Sequence, residues 1–242
     1  MDAIAPHLFS TRDVDLRGPG APDGWAHLAA DLGVAPSRLV RLEQVHGVET
    51  VVVRATDVPA ASGTDGGLSH ADGAMTDDSA TAVAIQVADC VPLLIADPST
   101  GGVAAVHAGW RGTAAGMAGH AVRAMARAFG SRPADLVAAI GPSIGRCCYR
   151  VGPDVVEAFR AAGSSDAVLR AWFAPEAGSD HFRFDVPRAN RDQLIETGLS
   201  GAQVHACGLC TACHPRLFHS YRRDGAGTGR LAGVIRGARR SG

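Results

Sequence analysis

The chain has 242 residues, 46% hydrophobic, 19% charged and 5% aromatic, too apolar for a disordered chain and long enough to bury roughly 70% of its unfolded surface. A net charge of −1 leaves no electrostatic footprint for nucleic acid or an anionic membrane surface, and no window approaches the roughly 20 apolar residues of a membrane span. All 23 basic residues are arginine, which excludes chemistry that needs a lysine amine: a Schiff base, a Walker A loop or a kinase-type phosphate lysine.

Trp25, Leu28, Ala29 and Leu32 recur at helical spacing and stop at Gly33, which predicts one short helix. Residues 48–53, 80–87, 91–95 and 102–106 are β-branched or apolar runs bounded by Gly, Asp and Ser, the signature of buried strands. Between the first two of these, the Gly/Ser/Asp stretch 61–78 reads as one long loop, a length that usually signals function or mobility. Residues 113–129 predict the longest helix, closed by Gly130, and 135–140 a further strand before the Gly141-Pro142 turn. Helices over 153–162 and 187–197 each open with a proline suited to a first helical turn. With no repeat and no long polar linker, residues 1–242 read as a single domain.

Residues 1–10 carry no basic region followed by an apolar stretch, so the cytoplasm is the expected location and the six cysteines are expected as thiols or metal ligands. Three glycine-bounded polar sites interrupt the apolar runs: Gln44-Val45-His46-Gly47, Asp89-Cys90, and the stretch from His107 to Gly112. His46, Cys90 and His107 make a reasonable zinc set, far apart in sequence and at element ends, as in catalytic sites with one open position. Spacing alone leaves the other reading open, in which each is a satisfied core residue at a strand end.

The segments QVHG (44–47), ADGAMTD (71–77), ADCVPLLIAD (88–97), AVHAGWRGT (105–113), IGPSIGRCCYRVG (140–152) and FHSYRRDGAGTGR (218–230) occur in the order in which they resemble the YfiH family, also called laccase-domain or polyphenol-oxidase-like. The resemblance implies an α+β fold, a single domain of layered α/β/β/α architecture with mixed sheets. It implies a metal, usually zinc, at His46, Cys90 and His107, with copper as an older label. It also implies phosphorolysis of adenosine, inosine and methylthioadenosine, with adenosine deaminase activity at the same site. The partners are then a purine nucleoside and phosphate, with no nucleic acid and no membrane, for a monomer or homodimer. Arg111, Arg222 and Arg223 are phosphate candidates because a guanidinium fork matches phosphate geometry, and Gln44, Asp72 and Trp110 are candidates to orient or stack the purine.

The chain departs from the family near its start, where the segment 1–40 is shortened. Asp23-Gly24-Trp25 stands roughly where an Asn-Arg pair is expected. The expectation is a weakened phosphate or ribose grip.

Three further motifs compete. Gly141-Pro142-Ser143-Ile144-Gly145 has the form of a nucleophile elbow but lacks a helix directly after the serine. Cys210-Thr211-Ala212-Cys213-His214 has the form of a haem-attachment motif, and with Cys207 it reads alternatively as a non-catalytic metal or redox module. Gly225 to Gly229 lacks the glycine spacing of a dinucleotide fingerprint. Cys147 and Cys148 read as packing residues. A further enzyme reading uses Cys90 as a thiolate nucleophile and His107 as its base, a metal-free cysteine amidase or deamidase.

Overall fold

The computed structural model describes residues 4–18, 20–56 and 69–238. Its strands are β1 (His7–Phe9), β2 (Leu39–Val40), β3 (Thr50–Val52), β4 (Gly73–Thr76), β5 (Ala82–Val87), β6 (Val91–Ala96), β7 (Val103–Ala108), β8 (Val137–Ile140), β9 (Arg150–Val151), β10 (Phe173–Pro175), β11 (Phe182–Phe184), β12 (Val204–Ala206) and β13 (Leu231–Arg236). Its α-helices are α1 (Ala21–Asp31), α2 (Trp110–Ala114), α3 (Met117–Phe129), α4 (Pro153–Ala161), α5 (Asp166–Trp172), α6 (Val186–Glu196) and α7 (Tyr221–Asp224).

Strands buried on both faces read as continuous apolar runs, and β6, β7 and β8 are buried at every position. They sit inside a six-stranded sheet of order β12-β8-β6-β7-β4-β3, while β5 lies in a four-stranded sheet of order β1-β13-β5-β2. Both sheets are mixed: β2 is parallel to β5, β3 to β4 and β12 to β8, with the remaining pairs antiparallel.

Side chains alternate across a strand, so each strand serves two layers. Val83, Ile85 and Val87 of β5 meet Leu94, Val103 and Ala105 of the six-stranded sheet, forming the core between the sheets. Ala82 and Ala84 face the other way, onto Trp25, Leu28 and Ala29 of α1. On the far side Leu93, Ile95 and Val106 pack against Ala118, Val122 and Met125 of α3 and Leu194 of α6. The order of layers is therefore helix, sheet, sheet, helix. A separate three-stranded sheet, β10-β11-β9, carries an aromatic cluster in which Phe173 stacks on Phe184 at 4.3 Å.

Two sequence expectations need correction. The helix expected over 113–129 is two helices, α2 beginning earlier at Trp110 and α3 at Met117, because Gly116 takes φ 79°, a left-handed conformation that breaks the hydrogen-bond ladder. The stretch 61–78 is not one loop: residues 73–76 form β4 between β7 and β3, while 61–68 lie outside the described residues. A polar Asp-Gly opening hid β4, which is stabilised by pairing with β7 rather than by its own composition.

Candidate metal centre and substrate cavity

His107 stands near the end of β7, on the face that carries Val103 and Ala105 into the core between the sheets. Its imidazole is thus directed into that layer where the layer runs out. Nδ1 meets Oδ1 of Asp72 at 2.7 Å, with side chains 3% and 0% exposed. The same carboxylate accepts the backbone N–H groups of Val45 (3.3 Å), His46 (2.9 Å) and Gly47 (2.6 Å). These bonds hold His46 at φ 63°, where a non-glycine residue is uncommon. One buried carboxylate therefore orients both histidines. Burial pushes the Asp72 carboxyl up, but the His107 and Gly47 hydrogen bonds outweigh it and hold Asp72 below the usual carboxylate range.

Cys90 follows Asp89, which sits at φ 90° between β5 and β6. The Asp89 carboxylate accepts the Thr211 hydroxyl at 2.5 Å and the Arg222 N–H at 2.7 Å, tying the Cys90 turn to two distant segments. The ligand atoms of His46, Cys90 and His107 all lie within 4.8 Å of one another. Burial alone would push the Cys90 thiol up. The charge of His107 and hydrogen bonds from His107 and His46 outweigh it and bring the thiol down to about 6. Burial correspondingly opposes the charged form of His107, yet the Cys90 charge and the Asp72 hydrogen bond raise it to about 9.

The residues fit a metal ion. Two imidazoles and a thiolate are a borderline-soft donor set suited to zinc, and Asp72, bonded to Nδ1 of His107, leaves the other ring nitrogen for an ion, as carboxylates behind ligating histidines do in metal sites. A Cβ at Gly109 would come within 3.0 Å of Cys90 Sγ and 3.2 Å of His46 Cδ2, so the space among these side chains exists only because residue 109 has none of its own.

Beside these three residues lies a cavity of about 650 Å³, lined among others by Leu42, Gln44, Tyr149, Tyr221, Arg222 and Arg230. Trp110 and Arg111 also line it, on the first turn of α2 immediately after β7, with the Arg111 guanidinium 4.3 Å from the Trp110 ring centroid. Arg222 lies 5.1 Å over Tyr149 and donates to the Arg150 carbonyl at 2.5 Å. Burial pushes the Tyr149 phenol well above its ordinary value, so it is a neutral hydrogen-bond donor.

Two of the expected binding residues stand elsewhere. Asp72 is behind His107 with no share of the cavity wall. Arg223 turns away to pair with Asp224 and to donate to the Thr211, Ala212 and Phe218 carbonyls, so it braces the chain. Gln44 lines the cavity, but its amide is committed to both backbone groups of Gln86. Sequence reasoning passed over Tyr149, Tyr221 and Arg230. Their signal was membership of the two motif segments 140–152 and 218–230.

The competing motifs resolve geometrically. Ser143 is buried, its backbone bonded to Leu209 and Thr211, and the next helix, α4, begins only at Pro153. Cys207, Cys210, Cys213 and His214 do not converge: Cys210 and Cys213 gather with Cys147 and Cys148, while His214 Nδ1 bonds the Cys210 carbonyl. The expectation that Cys147 and Cys148 are packing residues holds for Cys148, which is partly buried against the core, and is corrected for Cys147, which is exposed. Among the described residues no helix is long and apolar enough to cross a membrane.

Residues 23–237 match the family model described as multi-copper polyphenol oxidoreductase laccase. A purine nucleoside phosphorylase of Deinococcus radiodurans is 39% identical over 252 residues, covering 98% of this chain and 91% of that protein. Adenosine deaminase RL5, from an unknown prokaryotic organism, is 35% identical over 221 residues, covering 88% and 81% respectively. The crystal structure of the YfiH protein of Bacillus licheniformis matches with a TM-score of 0.88 at 30% identity, covering 96% of this chain and 92% of that one. A fold, a set of ordered motifs and a family model thus agree over most of the length, and the chain belongs to the laccase-like family of the YfiH proteins.

Proposed function

We propose that the chain is a zinc-dependent purine nucleoside phosphorylase acting on adenosine, inosine and methylthioadenosine, with adenosine deaminase activity at the same site. The observation that carries this reading is the convergence of His46, Cys90 and His107 beside a cavity whose wall also presents Arg111, Arg222 and Arg230. The relatives described above, a purine nucleoside phosphorylase and an adenosine deaminase, are enzymes of the same kind. His46, Cys90 and His107 would hold the zinc ion, which would supply Lewis acidity at the edge of the cavity.

In phosphorolysis a phosphate oxygen bonds to ribose C1′ as the glycosidic bond breaks and its electron pair leaves on the purine, which takes up a proton. Arg111, Arg222 and Arg230 are the groups that hold the phosphate and balance its charge. Tyr149, neutral and half-buried, is a hydrogen-bond donor on the cavity wall, and Leu42, Val87 and Ile144 are the apolar groups there suited to the faces of the base. In deamination water adds at purine C6 and ammonia departs, a reaction that needs no phosphate grip. Asp23 and Trp25, standing where the family's Asn-Arg pair is expected, lie on α1 outside the cavity lining. Phosphorolysis is the activity that suffers from that loss, by roughly 10- to 100-fold for one charge-assisted contact of about 1.5–3 kcal/mol.

A His2Cys set holds one ion, whereas four-electron oxygen reduction needs several redox ions close together, so the oxidase label is not adopted. The metal-free amidase reading draws on one observation, the Cys90 thiol beside the His107 imidazole, whose charge favours the thiolate. Metal content separates it from the zinc enzyme.

The test is a nucleoside panel across a phosphate titration, with adenine, inosine and hypoxanthine separated by chromatography and zinc measured per chain. Adenine that appears only with phosphate, and inosine that appears without it, support the proposal. Cys90→Ala is expected to lose most zinc and most turnover at this centre. Turnover of no purine nucleoside by zinc-loaded protein overturns it.

A further inference from the structure

Outside the cavity the fold assembles a second donor set from two distant segments. Cys147 and Cys148 come from the turn after β8, Cys210 and Cys213 from the segment after β12, and their four Sγ atoms all lie within 4.8 Å of one another. Cys213 Sγ is 3.4 Å from both Cys147 Sγ and Cys148 Sγ. Zn–S bonds of about 2.3 Å at tetrahedral angles place neighbouring sulfurs about 3.8 Å apart, within the span seen here. An iron–sulfur cluster interposes bridging sulfides and needs its cysteines further apart. From this geometry we infer that Cys147, Cys148, Cys210 and Cys213 form a mononuclear, closed four-thiolate zinc site.

The surroundings are built for it. The Gly145 N–H donates to Cys210 Sγ at 3.2 Å, the kind of contact that orients a thiolate ligand. A Cβ at residue 145 would come within 3.3 Å of Cys210 Cβ and 3.4 Å of Cys147 Sγ, so glycine lets the two cysteines close around that turn. Two guanidiniums brace the segments that carry the cysteines: Arg183, paired with Glu176, donates to the Cys147 carbonyl, and Arg223, paired with Asp224, donates to the carbonyls of Thr211 and Ala212. On binding, the thiols release their protons to solvent and each sulfur donates a lone pair, with no change of oxidation state.

The ion joins the two segments that build one side of the substrate cavity. Ile144 and Tyr149, which line it, flank Cys147 and Cys148, while Thr211, next to Cys210, holds Asp89 beside Cys90. The site is therefore structural, a clamp on the cavity wall, and it stands whether or not the proposed activity does.

The test uses the full chain, purified under reductant without chelator and loaded with Zn²⁺ alone. Metal analysis is expected to give two zinc ions per chain for the wild type, one for Cys90→Ala and one for the double variant Cys210→Ser, Cys213→Ser. No loss of zinc in the double variant relative to the wild type, or no zinc in loaded Cys90→Ala, overturns the inference; one zinc in both the wild type and Cys90→Ala overturns the proposed catalytic centre instead and leaves the four-thiolate site standing. Because the double variant risks misfolding, Co²⁺ replaces zinc in Cys90→Ala, which keeps all four cluster cysteines. An intense thiolate-to-cobalt charge-transfer band there supports the site, and its absence overturns it. A disulfide between Cys213 and either Cys147 or Cys148, found by alkylation and peptide mass spectrometry of the purified protein, also overturns it.

Discussion

Asp72 and His107 share a 2.7 Å hydrogen bond between two side chains that water scarcely reaches, and the other bonds of the same carboxylate set the turn that carries His46. One residue thus positions two of the three candidate ligands without touching the cavity. Asp72→Asn keeps the volume but turns an NH₂ group towards donors and removes the charge. Zinc affinity is expected to fall by about 10- to 100-fold, and stability by about 1–3 kcal/mol. Competition with a chelating dye and urea unfolding measure the two effects. Wild-type affinity in Asp72→Asn would remove the positioning role.

Gly109→Ala tests the space between the ligands. Its φ of −73° is ordinary for any residue, so the new methyl acts only by contact with Cys90 Sγ and His46 Cδ2. The variant is expected to fold with a melting temperature within a few degrees of wild type while retaining little zinc. Full zinc content would show that the three side chains spread apart without cost.

The Cys90–His107 pair makes the metal-free protein reactive at low pH. Alkylation follows the thiolate, and Cys90 titrates at about 6 rather than at the ordinary 9.0, because the His107 charge and the two histidine hydrogen bonds outweigh burial. The rate of iodoacetamide labelling at Cys90 is therefore expected to rise as pH increases through about 6 and then to level off. Peptide mass spectrometry separates this residue from the other thiols. Added zinc should protect it, and a midpoint near 9 would mean that the pair does not form.

Ser143→Ala is expected to leave nucleoside turnover within a few fold, since the residue is buried in a backbone bridge to Cys210 and lies outside the cavity lining. Loss of a true nucleophile typically costs on the order of 10⁶ in turnover. A collapse of that size, measured on folded protein, would restore the hydrolase reading.

The apolar runs at 80–87, 91–95, 102–106 and 135–140 announced β5 to β8 because strands buried on both faces leave an uninterrupted local signature. His46, Cys90 and His107 stood out as polar residues between such runs, but patterning left open whether they bind or simply pack, and it was the resemblance of the ordered motifs to the YfiH family that singled them out as a ligand set. Other features carry no local signature. β4 and β13 exist through pairing with β7 and β5, partners fixed by the whole sheet. Arg222 and Arg223 are adjacent in sequence, yet the short helix α7 leaves one on the cavity and turns the other to brace carbonyls. The four cysteines near 147 and 210 meet only because β8 and β12 run parallel side by side, so the chain segments that follow both strands emerge at the same edge of the sheet. Sequence by itself determined which residues are able to bury or to bind. Which of them share a site was decided by long-range strand pairing, since contacts between segments far apart in the chain depend on register and layer order rather than on the residues beside them.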